Sequence, residues 1–445
     1  MNFERIKDIL RDEAEKRDVA EYEIFFTESK SVSTETLENE ISSFASGTGA
    51  GVNFRCVREG HMGSASTELF TEEELRGLVA RAYANAGAIE NNDVAVIFSG
   101  SDKYAKCKRA SCEMPSAASV RALALDMQKR TYAESELVSD GTQSGVFAET
   151  ERYELVNSNG LNLSHSVSLA GAFVQAVVSR EDEAQEAFDF CLGLDGTESL
   201  SKSAVDTAIS KLGAAEIPSG KYDVIIDGKQ MRAMLSAFAS AFSGKNALLG
   251  LSLLAGKEGE MIASECVTLV DDPLGECNPV PTPFDGEGVA TFAKNVIEDG
   301  VLKTLLYDIA TAHKANKTTS ANGQRGSYSE QVHIAPFCFY IKGGELTDEE
   351  IMEKMGDGIY VTELKGLHAG ANSVTGDFSI ESAGYLVENG KISKAVKGFT
   401  VAGNFFTLLK DIKAVGAEVK FGLPSGFTTY GSPSVYLTDM SIAGQ

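Results

Sequence analysis

The chain has 445 residues, 43% apolar and 23% charged, and its 40 basic and 64 acidic side chains leave a formal net charge of −24. That length is more than one hydrophobic core usually serves, so two domains are expected. So acidic a surface repels phosphate backbones and sets direct nucleic-acid binding aside, and the lack of an uninterrupted apolar run of about 18 residues sets a membrane-spanning helix aside.

The opening stretch MNFERIKDILRDEAEKRD is charged throughout and does not have the layout of a signal peptide. Phe3, Ile6, Ile9 and Leu10 predict an amphipathic helix, and a strand follows around Ile24, Phe25 and Phe26. Gly47, Gly49 and Gly51 precede the strand-like VNFRCV, whereas a dinucleotide loop follows its strand and opens a helix; these read as turn glycines. Thr71 with Glu74 makes a capping box, and Phe70 with Leu75 a hydrophobic staple, for a helix over 71–87. A second helix is predicted over 116–132, with Val120, Leu123, Ala124 and Met127 on one side. Residues 137–178 are β-rich, with 149–152 joining two strands and Asn159-Gly160 as a two-residue hairpin turn. A helix over 201–212 ends at Gly213, and Ile217-Pro218-Ser219-Gly220 is the linker.

The second half opens on KYDVIIDGKQMRAMLSAFASAFSG. Tyr222, Val224 and Ile226 alternate as in a strand, which feeds a helix over 229–243. Met231, Met234, Leu235, Phe238 and Phe242 form its apolar face. Lys229, Arg232, Ser236, Ser240 and Ser243 fall opposite, with Gly244 as terminator. Beyond a glycine-interrupted loop at 245–260, strands are expected over 266–270 and 332–341 and at the end over 434–437. Hairpins are expected at Glu298-Asp299-Gly300 and Asn389-Gly390, a helix capped by Thr347 and Glu350, and a helix over 404–413. Hairpins outnumber crossover helices, so the fold class is α+β: a mixed α/β-meander domain at 1–216 and a domain rich in antiparallel sheet at 217–445.

Recognisable chemistry is sparse. No two of His61, His165, His313, His333 and His368 stand three to five residues apart, so the helical two-histidine metal motif is missing. His333 and Cys338 lie an odd number of residues apart on a predicted strand, which sends them to opposite faces. The seven cysteines include no C-x-x-C, and Cys107 and Cys112 lack a second ligand pair at zinc-site spacing; reduced thiols of a cytoplasmic protein are expected. There is no G-x-S-x-G elbow and no P-loop. Asp271, Asp272, Asp285 and Glu287 form a carboxylate cluster suited to acid–base chemistry or a hard cation, although their proline and glycine neighbours favour a turn-forming role.

A series of segments in the second half is more informative: MLSAFASAFSGK, VTLVDDPL, PFDGEGVAT, IEDGVLKTLLYD, TGDFS, AGYLVENGKI, VAGNFFTLL and GSPSVYLTDMSIAG. In this order they resemble the TldD/PmbA family, also labelled modulators of DNA gyrase. The resemblance implies a cytoplasmic metalloprotease system acting on peptides or unfolded polypeptide. In the catalytic branch an H-E-x-x-x-H on the first helix of the C-terminal domain and a later cysteine hold the metal. Here those positions read Ser236, Ala237, Phe238, Ala239, Ser240 and Ala241, and no cysteine follows Cys338. Neutral serine is a poor zinc ligand. The resemblance therefore points to the PmbA/TldE branch, with no metal and no cofactor in this chain, zinc in a TldD-like partner, and a dimer formed with that partner or with itself. No catalytic residue is assigned. Two alternatives stand beside this reading: a non-catalytic homodimeric module that binds peptides or proteins, for instance at a sheet edge, and a peptidase built from His313, His333, Cys338 and the carboxylates.

Overall fold

The structure, a computed structural model, describes residues 1–90, 94–107 and 114–444; Cys112 lies outside them. The N-terminal half is organised on β1 (Tyr22–Leu37). Glu38 and Asn39, at φ 52° and 63°, turn it into β2 (Glu40–Arg58). Two successive positive-φ residues match the twist of paired strands. With β3 (His61–Thr67), β4 (Gln143–Asn157), β5 (Asn162–Arg180) and β6 (Glu183–Leu192) the sheet order is β3-β2-β1-β4-β5-β6, antiparallel throughout.

Alternation along the strands gives this sheet two buried faces. Ile24, Phe26, Val52, Phe54 and Val156 pack with α1 (Phe3–Lys16) and α2 (Glu72–Gly87). Val146, Ala148, Ala172 and Val174 pack with α3 (Ala117–Glu134) and α4 (Leu200–Ser210). The odd-numbered Phe25, Tyr153, Leu155 and Val167 meet Val280, Phe284, Phe337 and Phe427 of the second half in one apolar cluster. Thr71 caps α2 through its side-chain oxygen, as the sequence predicts, and Ser116 caps α3 in the same way.

In chain order the second half continues with β7 (Gly220–Ile226), α5 (Gly228–Phe238), α6 (Gly244–Leu248), β8 (Leu269–Asp271), β9 (Lys294–Glu298), β10 (Val301–Leu302) and α7 (Ile309–Lys314). Next come β11 (Gly323–Gln324), β12 (His333–Ile334), β13 (Cys338–Ile341), α8 (Asp348–Met355), β14 (Gly358–Lys365), α9 (Leu367–Gly370), β15 (Asp377–Glu388) and β16 (Lys391–Asn404). It ends with α10 (Phe405–Asp411), β17 (Ile412–Val415), β18 (Lys420–Phe421), β19 (Thr429–Ser432) and β20 (Val435–Ala443). One sheet runs β16-β15-β14-β7-β20-β17 and closes on itself through a β16–β20 pairing; a second runs β10-β9-β8-β13-β19-β18. Among the strands of the described residues, only β7–β14 and β13–β19 pair parallel. The fold is α+β with extensive antiparallel sheet, and Thr347 and Glu350 make the reciprocal capping box expected of α8.

Several elements depart from the sequence expectation. The α-helix expected over 229–243 ends at Phe238 and tightens into a 3₁₀ turn, Ala239–Phe242. Phe238 stacks on Phe405 at 4.4 Å, and the tighter turn carries Phe242 to Phe339 at 5.5 Å instead of stacking it above Phe238. Gly244 opens α6 instead of closing a helix; Tyr307 sits so near that a Cβ there would lie 2.2 Å from its ring. Residues 149–152 do not join two strands, because β1 and β5 pair with β4 on either side and hold it extended. The Asn159-Gly160 hairpin exists, but its connection runs over 158–161 and only Gly160 has positive φ, the Asn157 side chain accepting from the amides of Asn159 and Leu161. The strand expected over 332–341 breaks at Ala335-Pro336, so β12 and β13 join different sheets.

Candidate functional site

Helix α5 starts where Asp227 leaves β7. Asp227 Oδ1 accepts from Lys229 N at 2.7 Å, which caps the helix. Its Oδ2 accepts from Tyr360 Oη at 2.6 Å and Lys420 Nζ at 2.7 Å, and Lys420 also reaches Asp348 at 3.0 Å. The N-terminus of α5 is thus tied to α8 and β18. Met231, Met234, Leu235 and Phe238 are at most 1% exposed, in a core that draws on both sheets.

The four positions that the resemblance sets against a metal motif differ in exposure. Ser236 is exposed. Ala237 is half-buried, and Ser240 is exposed in the 3₁₀ turn. Ala241 is wholly buried, and its carbonyl accepts from Ser252 Oγ at 2.5 Å. Two methyls and two hydroxyls on opposite sides of a helix end do not fit a zinc shell. Among the described residues, no three His, Cys, Asp or Glu side chains come close enough to hold a metal ion.

The other candidates are dispersed. His313, His333 and His368 are exposed. His165 is buried, its Nε2 2.7 Å from the Pro281 carbonyl. Cys338 is buried, so His333 and Cys338 do not share a site. The four carboxylates separate as well. Asp271, fully buried, takes Lys294 Nζ at 3.0 Å, Asn322 Nδ2 at 2.8 Å and Phe337 N at 2.8 Å. Asp272 accepts from the amide of Leu274, a turn contact.

Asp285 and Glu287 instead enter a polar cluster between the halves. The antiparallel register sets Arg55 of β2 opposite Glu23 of β1. Arg55 Nη2 donates to Glu23 Oε2 at 2.9 Å, with Nε 2.9 Å from Oε1. Arg325, from the segment after β11, donates to the same carboxylate and to the Gly286 carbonyl, with its guanidinium 4.1 Å from the centre of the Phe25 ring. Asp285 accepts from the amides of Glu287 (2.9 Å), Val289 (3.0 Å) and Gly323 (3.1 Å), and Glu287 accepts from Ile309 N at 2.8 Å. Burial pushes Asp285 up to about 7 despite those amides. Burial, joined by the charge of Asp285, pushes Glu287 up to about 8. With Glu287 protonated, these five side chains are neutral overall. A cavity of about 370 Å³ opens beside them, lined by Asn53, Arg55, Glu287, Asp308, Arg325 and Lys245 among others. It presents both signs of charge to an entering group, with Glu287, whose carboxyl burial and Asp285 push up to about 8, on its wall. The sequence reading found Asp285 and Glu287 but missed Glu23, Arg55 and Arg325. The available signal was a charge inside an apolar strand, in YEIFF and in VNFRCV.

Comparison with known proteins agrees with this architecture. Models of the PmbA/TldA metallopeptidase match as domain 1 at residues 22–86, as the central domain at 111–212 and as the C-terminal domain at 219–444. A metalloprotease of Methanothermobacter thermautotrophicus is 29% identical over 422 residues, covering 90% of this chain and 88% of that protein. Metalloprotease PmbA of Escherichia coli O157:H7 is 28% identical over 297 residues, 65% of this chain and 62% of that one. A Thermotoga maritima MSB8 protein described as a modulator of a DNA gyrase superposes with a TM-score of 0.90 at 29% identity, covering 99% of this chain and 100% of that one. TldE from Thermococcus kodakarensis shares the fold, with a TM-score of 0.89 at 22% identity over 99% of this chain and 100% of that one. The chain belongs to the PmbA/TldD family.

Proposed function

We propose that this chain is the metal-free subunit of a cytoplasmic PmbA/TldD-type metalloprotease system, paired with a TldD-like chain that holds the zinc. The observation that carries this reading is the end of α5, where Ser236, Ala237, Ser240 and Ala241 offer two exposed neutral hydroxyls and two methyls, and no metal ligand. The subunit shapes and holds a peptide or unfolded polypeptide while the partner supplies the activated water. The interdomain cavity, with Arg55 and Arg325 facing Glu287 and Asp308, suits the mixed charges of a peptide. Coexpression with a TldD-like chain, followed by gel filtration and a peptide-cleavage assay, tests the reading. A mixed complex is expected, with cleavage that depends on the partner's H-E-x-x-x-H. Cleavage by this chain alone with stoichiometric zinc overturns it, and so does the absence of both a complex and any effect on the partner's cleavage.

One observation favours a second reading, a non-catalytic peptide-binding homodimer. Among the described residues strand β6 pairs only with β5 and leaves an edge on which Phe188 is 48% and Leu192 38% exposed. Saturable binding of extended peptides by this chain alone, with no gain on adding the partner, is the result that selects it.

A further inference from the structure

Two thiols outside the cluster lie in contact. Cys338 opens β13 and is fully buried. Cys277 lies half-buried in the irregular segment between β8 and β9. Their sulfurs are 3.9 Å apart. The two backbones differ in how firmly they are held. Strand β13 is paired on both sides, by β8 and β19. Cys277 stands in a turn closed by Asn278 N on the Gly275 carbonyl at 3.0 Å and by Asn278 Nδ2 on the Pro273 carbonyl at 3.0 Å. A disulfide needs sulfurs about 2.05 Å apart. The sulfurs start in van der Waals contact, and the approach falls to Cys277 in its turn, because β13 is paired on both sides.

We propose that Cys277 and Cys338 form a redox-active dithiol that a hydroperoxide closes to an intramolecular disulfide. The Cys277 thiolate, the accessible member, attacks the peroxide oxygen. The O–O bond breaks, giving a sulfenic acid on Cys277 and an alcohol or water. Cys338 sulfur then attacks the Cys277 sulfur, and the hydroxyl leaves with the Cys338 proton as water. Overall two thiols are oxidised to a disulfide and one hydroperoxide is reduced. The shared S–H···S bond supports the assignment of roles, since it pulls Cys277 down to about 7 and pushes Cys338 up. The segment that carries Cys277 also carries Pro281, which touches His165 of the N-terminal half, and leads into Asp285 and Glu287. The disulfide therefore pins to β13 the segment that seats the interdomain cluster.

The test is hydrogen peroxide treatment of the full chain, alkylation of the remaining thiols, proteolysis and mass spectrometry without reductant. The expected product is a Cys277–Cys338 linked peptide pair, two hydrogens lighter than the separate peptides and split by dithiothreitol, with a higher unfolding midpoint before reduction. Cys338→Ser is expected to stop at oxidised, unlinked Cys277, and Cys277→Ser to leave Cys338 free for alkylation only after unfolding. Full alkylation of both thiols after peroxide overturns the proposal. So does sulfinic acid on Cys277 of the natural chain without a cross-link, or a linkage of either cysteine to a different partner.

Discussion

Glu287 shows how much the fold changes a single residue. In the unfolded chain its carboxyl ionises in the usual range, about 4.3, while in the fold burial and Asp285 raise it to about 8. Between those values the native state holds a proton that the unfolded state has released. Its contribution is present at low pH and is lost as pH rises from the unfolded value through the folded one. Glu287→Gln removes that dependence. Relative to the natural chain, the variant is expected to gain stability by up to about 1.4 kcal/mol for each pH unit between roughly 5 and 7. Urea unfolding at a series of pH values measures this, and parallel curves for the two proteins contradict it. At the family's metal positions the expectation is a failure of repair. In Ser236→His/Ala237→Glu/Ala241→His, one imidazole faces solvent and the other replaces a buried methyl. Weak or no zinc binding is expected by isothermal titration, together with a loss of stability of about 1–3 kcal/mol from overpacking. Tight stoichiometric zinc would show an intact site.

At the scale of elements, α5 is held by its apolar face and its cap, not by the exposed hydroxyls of Ser236 and Ser240. Phe238 is fully buried against Phe405 and Phe378. Phe238→Ala is expected to cost about 3–5 kcal/mol, whereas Ser240→Ala on the exposed side stays within about 0.5 kcal/mol. Denaturant midpoints of the two variants compare them directly, and equal midpoints would refute the assignment. The apolar face was legible from spacing because a helix repeats its neighbours every three or four residues. The change to a 3₁₀ turn at Ala239 was not, because it answers to Phe405, Phe339 and Tyr307, none of them near in sequence.

For the whole molecule, the seam between the halves is an apolar layer around Phe25, Tyr153, Phe284, Phe337 and Phe427 with the Glu23–Arg55–Arg325 cluster beside it. Arg325 spans the seam, so Arg325→Ala leaves the buried Glu23 carboxylate one guanidinium short. A loss of about 3–5 kcal/mol is expected, with thermal unfolding splitting into two transitions as the halves uncouple. A single transition at the natural midpoint would show that the apolar layer alone joins them. Periodicity and caps were sufficient for most elements and the α+β class, since both are read between residues a few positions apart. The residues at 236–241 also declared their lack of ligands without any structure, because a methyl or a neutral hydroxyl is the same poor donor in every fold. Only packing could bring Arg325 to Glu23, 302 positions away. Strand register and the docking of two sheets decide such a meeting, and residue spacing along one strand or helix contains no information about either.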